Sequence, residues 1–231
     1  MANILNIETS STTCSVALAE DGAIKVGLES TEGMNHAEML APFVDKCMQY
    51  LKENSEKLDA VAVSAGPGSY TGLRIGYSLA KGLAFSLDIP LIALPTLKVL
   101  AVKAMFSRFD WEGDEIIIPM VDARRMEVYT AAYDFSLNQL SKEEPMILDE
   151  NSYSEFMNRR KVIFVGDGSL KFKDLYKGDN SIWIEGTPPH ARDMVALSEK
   201  FYRDGDFADI AYSTPRYLKE YQTTVAKSRL I

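Results

Sequence analysis

The sequence predicts an α/β chain of two lobes, each a mixed sheet with flanking helices. Three observations carry this. Apolar strands open the chain and give way to alternating helices and strands, and that order occurs twice, the second time from Ile116. Helix-period apolar faces at residues 37–53 and 71–87 alternate with short runs rich in Val, Ile and Ala, the pattern of buried parallel strands. With 231 residues, 46% hydrophobic and 25% charged, the chain has an ordinary globular composition and length for one large domain or two small ones.

The first thirty residues read as a three-stranded meander. Ile4-Leu5-Asn6-Ile7 runs into the turn-prone Thr9-Ser10-Ser11-Thr12-Thr13. Residues 14–19 alternate toward Asp21-Gly22, the strongest short hairpin signal, and residues 23–28 return from it. A helix over 37–53 follows, with Asn35 as N-cap and Glu38 placed for a capping box. Its stripe is Leu40, Phe43, Val44, Cys47, Tyr50 and Leu51. Residues 59–65 form a buried parallel strand that ends in Gly66-Pro67-Gly68-Ser69-Tyr70-Thr71-Gly72.

The second helix covers 71–87. Gly72, Gly76, Ala80 and Ala84 make a small-residue row that leaves room for another backbone. Leu73, Ile75, Tyr77, Leu79, Leu83 and Phe85 cover most of the remaining circumference, so the helix is buried on more than one side. A strand at 89–94 and a helix at 96–106 complete a first lobe of residues 1–108. Residues 107–114 break the pattern. The second lobe, 109–231, opens with strands at 116–121, 127–133 and near 145–148. A helix at 152–158, a strand at 162–165 and a helix at 192–203 follow. Its last segment is expected to pack back on the first lobe.

Composition narrows the function. Lys and Arg number 25 against 33 Asp and Glu, a formal charge of −8 that repels polyanions. Lys219, Lys227 and Arg229 are the one basic patch to set against it, and a solvated tail is the plainer reading. Cys14 and Cys47 form no CxxC, which excludes a zinc ribbon and a disulfide framework. His36 and His190 make no local metal pair; one reads as a capping or packing residue, the other as a loop residue. The N-terminus has no basic leader and no apolar run approaches ~20 residues, so a cytoplasmic protein without a membrane span is expected.

Two turns in the first lobe could bind an anion. A glycine turn at a helix N-terminus offers N–H groups and a positive dipole end, so Gly66 and Gly68 are nucleotide candidates; a tight strand-to-helix connection is the alternative. Glu8 and Ser10, in Ile7-Glu8-Thr9-Ser10, occupy the turn that carries an Asp near the phosphates in actin-like kinases and ATPases. In the second lobe Asp122-Ala123-Arg124-Arg125 takes the equivalent place. Its Ala and two bulky Arg argue against close phosphate approach and for a structural ion pair. Gly166-Asp167-Gly168-Ser169 reads as a nucleotide contact or a simple strand-to-helix turn.

Taken together these strings resemble the TsaB family, formerly YeaZ. The resemblance rests on Ile7-Glu8-Thr9-Ser10, Asn35-His36-Ala37-Glu38-Met39-Leu40, the specific string from Gly66 to Gly76, residues 119–129, and Pro215-Arg216-Tyr217-Leu218. It implies an actin-like (ASKHA, ribonuclease H-like) fold and kinship to TsaD, the glycoprotease-like catalytic paralogue. It implies a non-catalytic dimerisation subunit that binds and activates TsaD for N6-threonylcarbamoylation of the adenosine next to the anticodon, in tRNAs reading codons that begin with A. The interface it implies is the first-lobe helix pair: Leu40, Phe43, Cys47, Gly72, Leu73, Gly76, Tyr77 and Ala80. A TsaE-type ATPase joins the pair, and when the chain is alone the same helices leave both a homodimer and a monomer open. Thr96 and Leu100 stand where a TsaD-like metal pair of His would fall, so no metal, carbamoyl transfer or peptidase activity is carried over; no cofactor is expected, and the charge of −8 sets the expectation of no tight tRNA binding by this chain alone. The competing readings are an actin-like small-molecule kinase or ATPase, a glycoprotease-type metallopeptidase, and a stand-alone homodimer with a regulatory role.

Overall fold

The computed structural model describes residues 2–31, 33, 35–176 and 178–219. Strands β1 (Asn3–Glu8), β2 (Cys14–Glu20) and β3 (Ala23–Ser30) form the antiparallel meander. Asp21 and Gly22 both take positive φ, as a two-residue hairpin turn requires. Then come α1 (His36–Glu53), β4 (Ala60–Ser64), α2 (Tyr70–Leu87), β5 (Leu91–Leu94) and α3 (Thr96–Phe106). β4 pairs in parallel with β1 and with β5, giving the order β3-β2-β1-β4-β5.

The second half comprises β6 (Ile116–Asp122), β7 (Glu127–Thr130), β8 (Glu144–Ile147), α4 (Ser154–Met157), β9 (Val162–Gly166), α5 (Ser169–Lys173), β10 (Ser181–Glu185) and α6 (Ala191–Asp204). Its sheet order is β10-β9-β6-β7-β8. Taken from the β8 edge this is the first sheet again: three meandering strands, then two parallel ones. The correspondence reaches single residues. Gly66 after β4 has φ 101° and Gly166 at the end of β9 has φ 105°, a backbone region in which a side chain is strained.

Alternation along the strands sorts the layers. Leu5, Ile7, Val61 and Val63 face α1 and α2, while Ile4, Ala60, Ala62, Ile92 and Leu94 face α3 and α6. α3 is apolar nearly all round because it lies between the two sheets. Val99 and Val102 meet the first sheet; Leu97, Leu100, Ala101 and Ala104 meet Ile117, Val121, Ile163 and Val165 of the second. An aromatic cluster of Tyr153, Phe164, Phe172 and Trp183 fills the far side of the second sheet.

Several local expectations need correction. Asn35 stands before α1 but its side chain makes no cap; its amide donates to Ser30 Oγ at 3.3 Å, and the box with Glu38 does not form. β7 ends at Thr130, with Tyr133 reduced to an isolated bridge to Ile117. α4 is a single turn. His190 is the N-cap residue of α6, where Asp193 accepts from its backbone N–H at 2.9 Å. No helix among the described residues is long and apolar enough to cross a membrane.

Candidate functional site

The glycine loop and the β1–β2 turn fold onto each other. Ser69 N–H donates to the Ser10 carbonyl at 2.6 Å, and Gly72 N–H to Ser69 Oγ at 3.2 Å, capping α2 from within. A Cβ at Gly68 would overlap the Ser10 carbonyl oxygen, and one at Gly66 would stand 2.5 Å from the Arg216 carbonyl oxygen. Glu8 lies beneath, fully buried. Its Oε1 accepts from Ser10 N–H at 2.6 Å and Ser64 Oγ–H at 2.9 Å, while Oε2 meets no partner among the described residues. Burial pushes the Glu8 carboxyl above its ordinary value, against the pull of those hydrogen bonds. The four nucleotide candidates Glu8, Ser10, Gly66 and Gly68 are thus neighbours, but each is used in packing the turn shut.

The equivalent turn of the second sheet is organised by lysine. Asp122 pairs with Lys171 at 2.7 Å and accepts from Arg124 N–H, while Asp122 N–H donates to Asp167 Oδ1 at 2.9 Å. The expected Asp–Arg pair is therefore an Asp–Lys pair. Arg124 and Arg125 both take positive φ and are exposed at the turn.

The small-residue row also requires correction. Cβ atoms at Gly72 and Gly76 would collide with the Thr9 carbonyl oxygen and Thr9 Oγ1. The backbone that approaches the row is this chain's own β1–β2 turn. Leu40, Phe43, Cys47, Leu73, Tyr77 and Ala80 are likewise buried in the chain's own core. The outward stripe of α2 is instead Thr71, Arg74, Ser78, Gly82 and Phe85, and that of α1 includes Ala37 and Ala41. Between the two helices runs a groove of roughly 580 Å³, lined by His36, Ala37, Leu40, Ala41, Arg74, Ile75, Ser78 and Leu79. Phe85 beyond it is 77% exposed. Only Leu40 of the expected interface residues reaches this groove. The signal that could have found the rest is polar spacing: in a mostly apolar helix, Arg74 and Ser78 stand one turn apart and mark the wet side.

Elsewhere, Thr96 and Leu100 lie one turn apart on α3 and are fully buried between the sheets. His36 is buried at the start of α1 beside the groove. His190 lies 3.1 Å from Glu29, and desolvation holds its imidazole below the ordinary value. Both cysteines are free and buried, with thiols pushed up to about 11 by burial. Lys219 pairs with Glu127 at 2.7 Å; Lys227 and Arg229 lie outside the described residues.

This arrangement matches known proteins across nearly the whole chain. The family model described as TsaD, tRNA N6-adenosine threonylcarbamoyltransferase, matches residues 31–229. The chain is 29% identical over 222 residues to the tRNA threonylcarbamoyladenosine biosynthesis protein TsaB of Escherichia coli (strain K12), covering 94% of each chain. It is 33% identical over 178 residues to TsaB of Bacillus subtilis (strain 168), covering 74% of each. The structure of YeaZ from Pseudomonas aeruginosa superposes with a TM-score of 0.79 at 26% identity, over 94% of this chain and 100% of that one. An inorganic polyphosphate/ATP-glucomannokinase from Arthrobacter sp. strain KM, at 12% identity and a TM-score of 0.50 over 88% of this chain and all of the other, shares the fold alone. The sheets are those of an actin-like α/β fold, and the chain belongs to the TsaB (YeaZ) family, within the wider TsaD-type family.

Proposed function

We propose that this chain is a non-catalytic subunit of tRNA threonylcarbamoyladenosine synthesis. It binds a TsaD-type catalytic subunit and holds it active for N6-threonylcarbamoylation of the adenosine next to the anticodon, in tRNAs reading codons that begin with A. A TsaE-type ATPase joins the assembly in the cytoplasm. The observation that carries the reading is the outward face of α1 and α2. It combines a groove floored by Leu40 and Ile75, flanked by small Ala37, Ala41 and Ser78, with an exposed Phe85. Such a patch marks an interaction surface, and its small residues admit a partner helix. The names of the relatives, which place them in threonylcarbamoyladenosine biosynthesis, support the pathway. The buried, shut turn around Glu8 supports the non-catalytic part, since an actin-like kinase must open that turn to phosphate.

Ser78→Trp in the groove tests the face. The variant is expected to melt with the parent chain, because Ser78 is exposed, and to lose at least about tenfold in affinity for the organism's TsaD-type subunit by overpacking. Failure of the parent chain to co-purify with that subunit overturns the reading. Undiminished pairing of the variant moves the interface elsewhere. A second copy of this chain seated on the same face when it is alone is expected to be displaced by the catalytic subunit.

A further inference from the structure

The α1–α2 face is completed by a segment from far along the chain. After α6, Ala208 bridges to Leu91, and Lys81 Nζ donates to the carbonyls of Ala211 at 3.2 Å and Ser213 at 2.9 Å. Arg216 N–H donates to the Ala65 carbonyl at 2.6 Å, under Gly66. Two side chains then reach the second sheet's half: Arg216 lies 2.9 Å from Glu143, and Lys219 lies 2.7 Å from Glu127. Tyr217 sits between these anchors and turns back toward α2. Its ring centroid is 5.0 Å from that of Tyr70, and its hydroxyl accepts from Arg74 Nε at 3.1 Å. The Arg74 guanidinium lies 3.9 Å above the Tyr70 ring and 5.9 Å from the Tyr217 ring. Arg74 is exposed and lines the groove.

A free arginine samples many rotamers and loses that freedom when it binds. One already stacked on a ring and tied through Nε loses less, so its contacts count for more. We propose that Tyr217 is a positioning residue of the partner face: the segment 213–219 seats Arg74 at the groove to meet a carboxylate of the partner. The chemistry is that of a planar guanidinium, which takes a carboxylate by charge-assisted hydrogen bonds. Both ends of the segment are anchored, so the seat is set by the second half of the molecule as well as the first. The proposal rests on the reading that a TsaD-type subunit occupies this face.

A double-mutant cycle tests it, with dissociation constants for the TsaD-type subunit measured by titration calorimetry and melting followed in parallel. Tyr217→Ala is expected to weaken pairing about threefold to tenfold, in keeping with a partly exposed cation–π contact and one hydrogen bond. Tyr217→Phe, which keeps the ring and removes only the hydroxyl, is expected to fall between. In an Arg74→Ala background the loss of Tyr217 is expected to add nothing, because Tyr217 acts through Arg74. Arg74→Glu is expected to bind more weakly than Arg74→Ala. Unchanged affinity of Tyr217→Ala, an equal loss in the Arg74→Ala background, or tighter binding by Arg74→Glu overturns the proposal while the pairing itself stands. No pairing by the parent chain defeats the functional reading and this proposal together.

Discussion

Thr9 is the residue on which the first half turns. It is buried, and its carbonyl and Oγ1 occupy the space that side chains at Gly72 and Gly76 would need. The spacing of the small residues was legible in the sequence; the identity of the backbone filling it was not, because i, i+4 spacing reports only that something comes close. Two substitutions in one helix separate the cases. Gly72→Ala forces a Cβ against a backbone oxygen and is expected to cost about 1–3 kcal/mol, lowering the melting temperature by roughly 2–12 °C. Gly82→Ala on the same helix meets nothing within 4 Å and is expected to gain about 0.5–1 kcal/mol from helix propensity. Thermal unfolding of the two variants checks both signs. Glu8 supplies a pH test. Its raised folded-state value means that the native chain keeps a proton the unfolded chain releases. That stabilisation is full below the ordinary carboxylate value and is lost as pH rises toward the folded one. Glu8→Gln keeps an acceptor for Ser10 and Ser64 without the linkage. Urea midpoints are expected to show the parent losing ground to the variant as pH rises above the ordinary carboxylate range. A constant difference contradicts this.

Helix α2 presents three sides of different character. One side carries Gly72 and Gly76 against the β1–β2 turn, another carries Leu73, Tyr77 and Ala84 into the core, and the third leaves Arg74, Ser78 and Phe85 outward. The sequence betrayed burial on more than one side through the near absence of charge. It took a side that this chain itself buries for a partner's side, because apolar residues facing a core and facing a partner look alike. The elements that went unread share a physical reason. α5 has five residues, too few for a helical period, and β10 (Ser181–Glu185) is an edge strand whose alternation is blunted by half-exposed residues. The turn between β6 and β7 carries its own prediction. Arg124 and Arg125 hold positive φ, a region costing a side-chain-bearing residue about 1–2 kcal/mol. Arg125→Gly is therefore expected to raise stability by up to about 1 kcal/mol, read as a shift in the denaturant midpoint; a loss would mean that the arginine side chain makes contacts worth more than the strain.

The molecule as a whole is one topology used twice, joined by an α3 that both sheets share and by the segment 213–219 that touches both halves. The repeat was legible because strand meanders and glycine turns recur in order, down to Gly66 and Gly166. Charge acts at this scale too. At −8, with Lys219 already spent on Glu127, the isolated chain is expected to bind tRNA no more tightly than micromolar at about 150 mM salt. A filter-binding titration checks this, and sub-micromolar binding contradicts it. The role proposed for this chain is to activate another without catalysing. Its most direct test is threonylcarbamoyl transfer to tRNA reconstituted from purified parts, with the TsaD-type and TsaE-type subunits and a threonylcarbamoyl donor. Transfer is expected with the parent chain present, little without it or with Ser78→Trp in its place, and none by the chain alone. Equal rates with and without the chain, or transfer by the chain on its own, would contradict it.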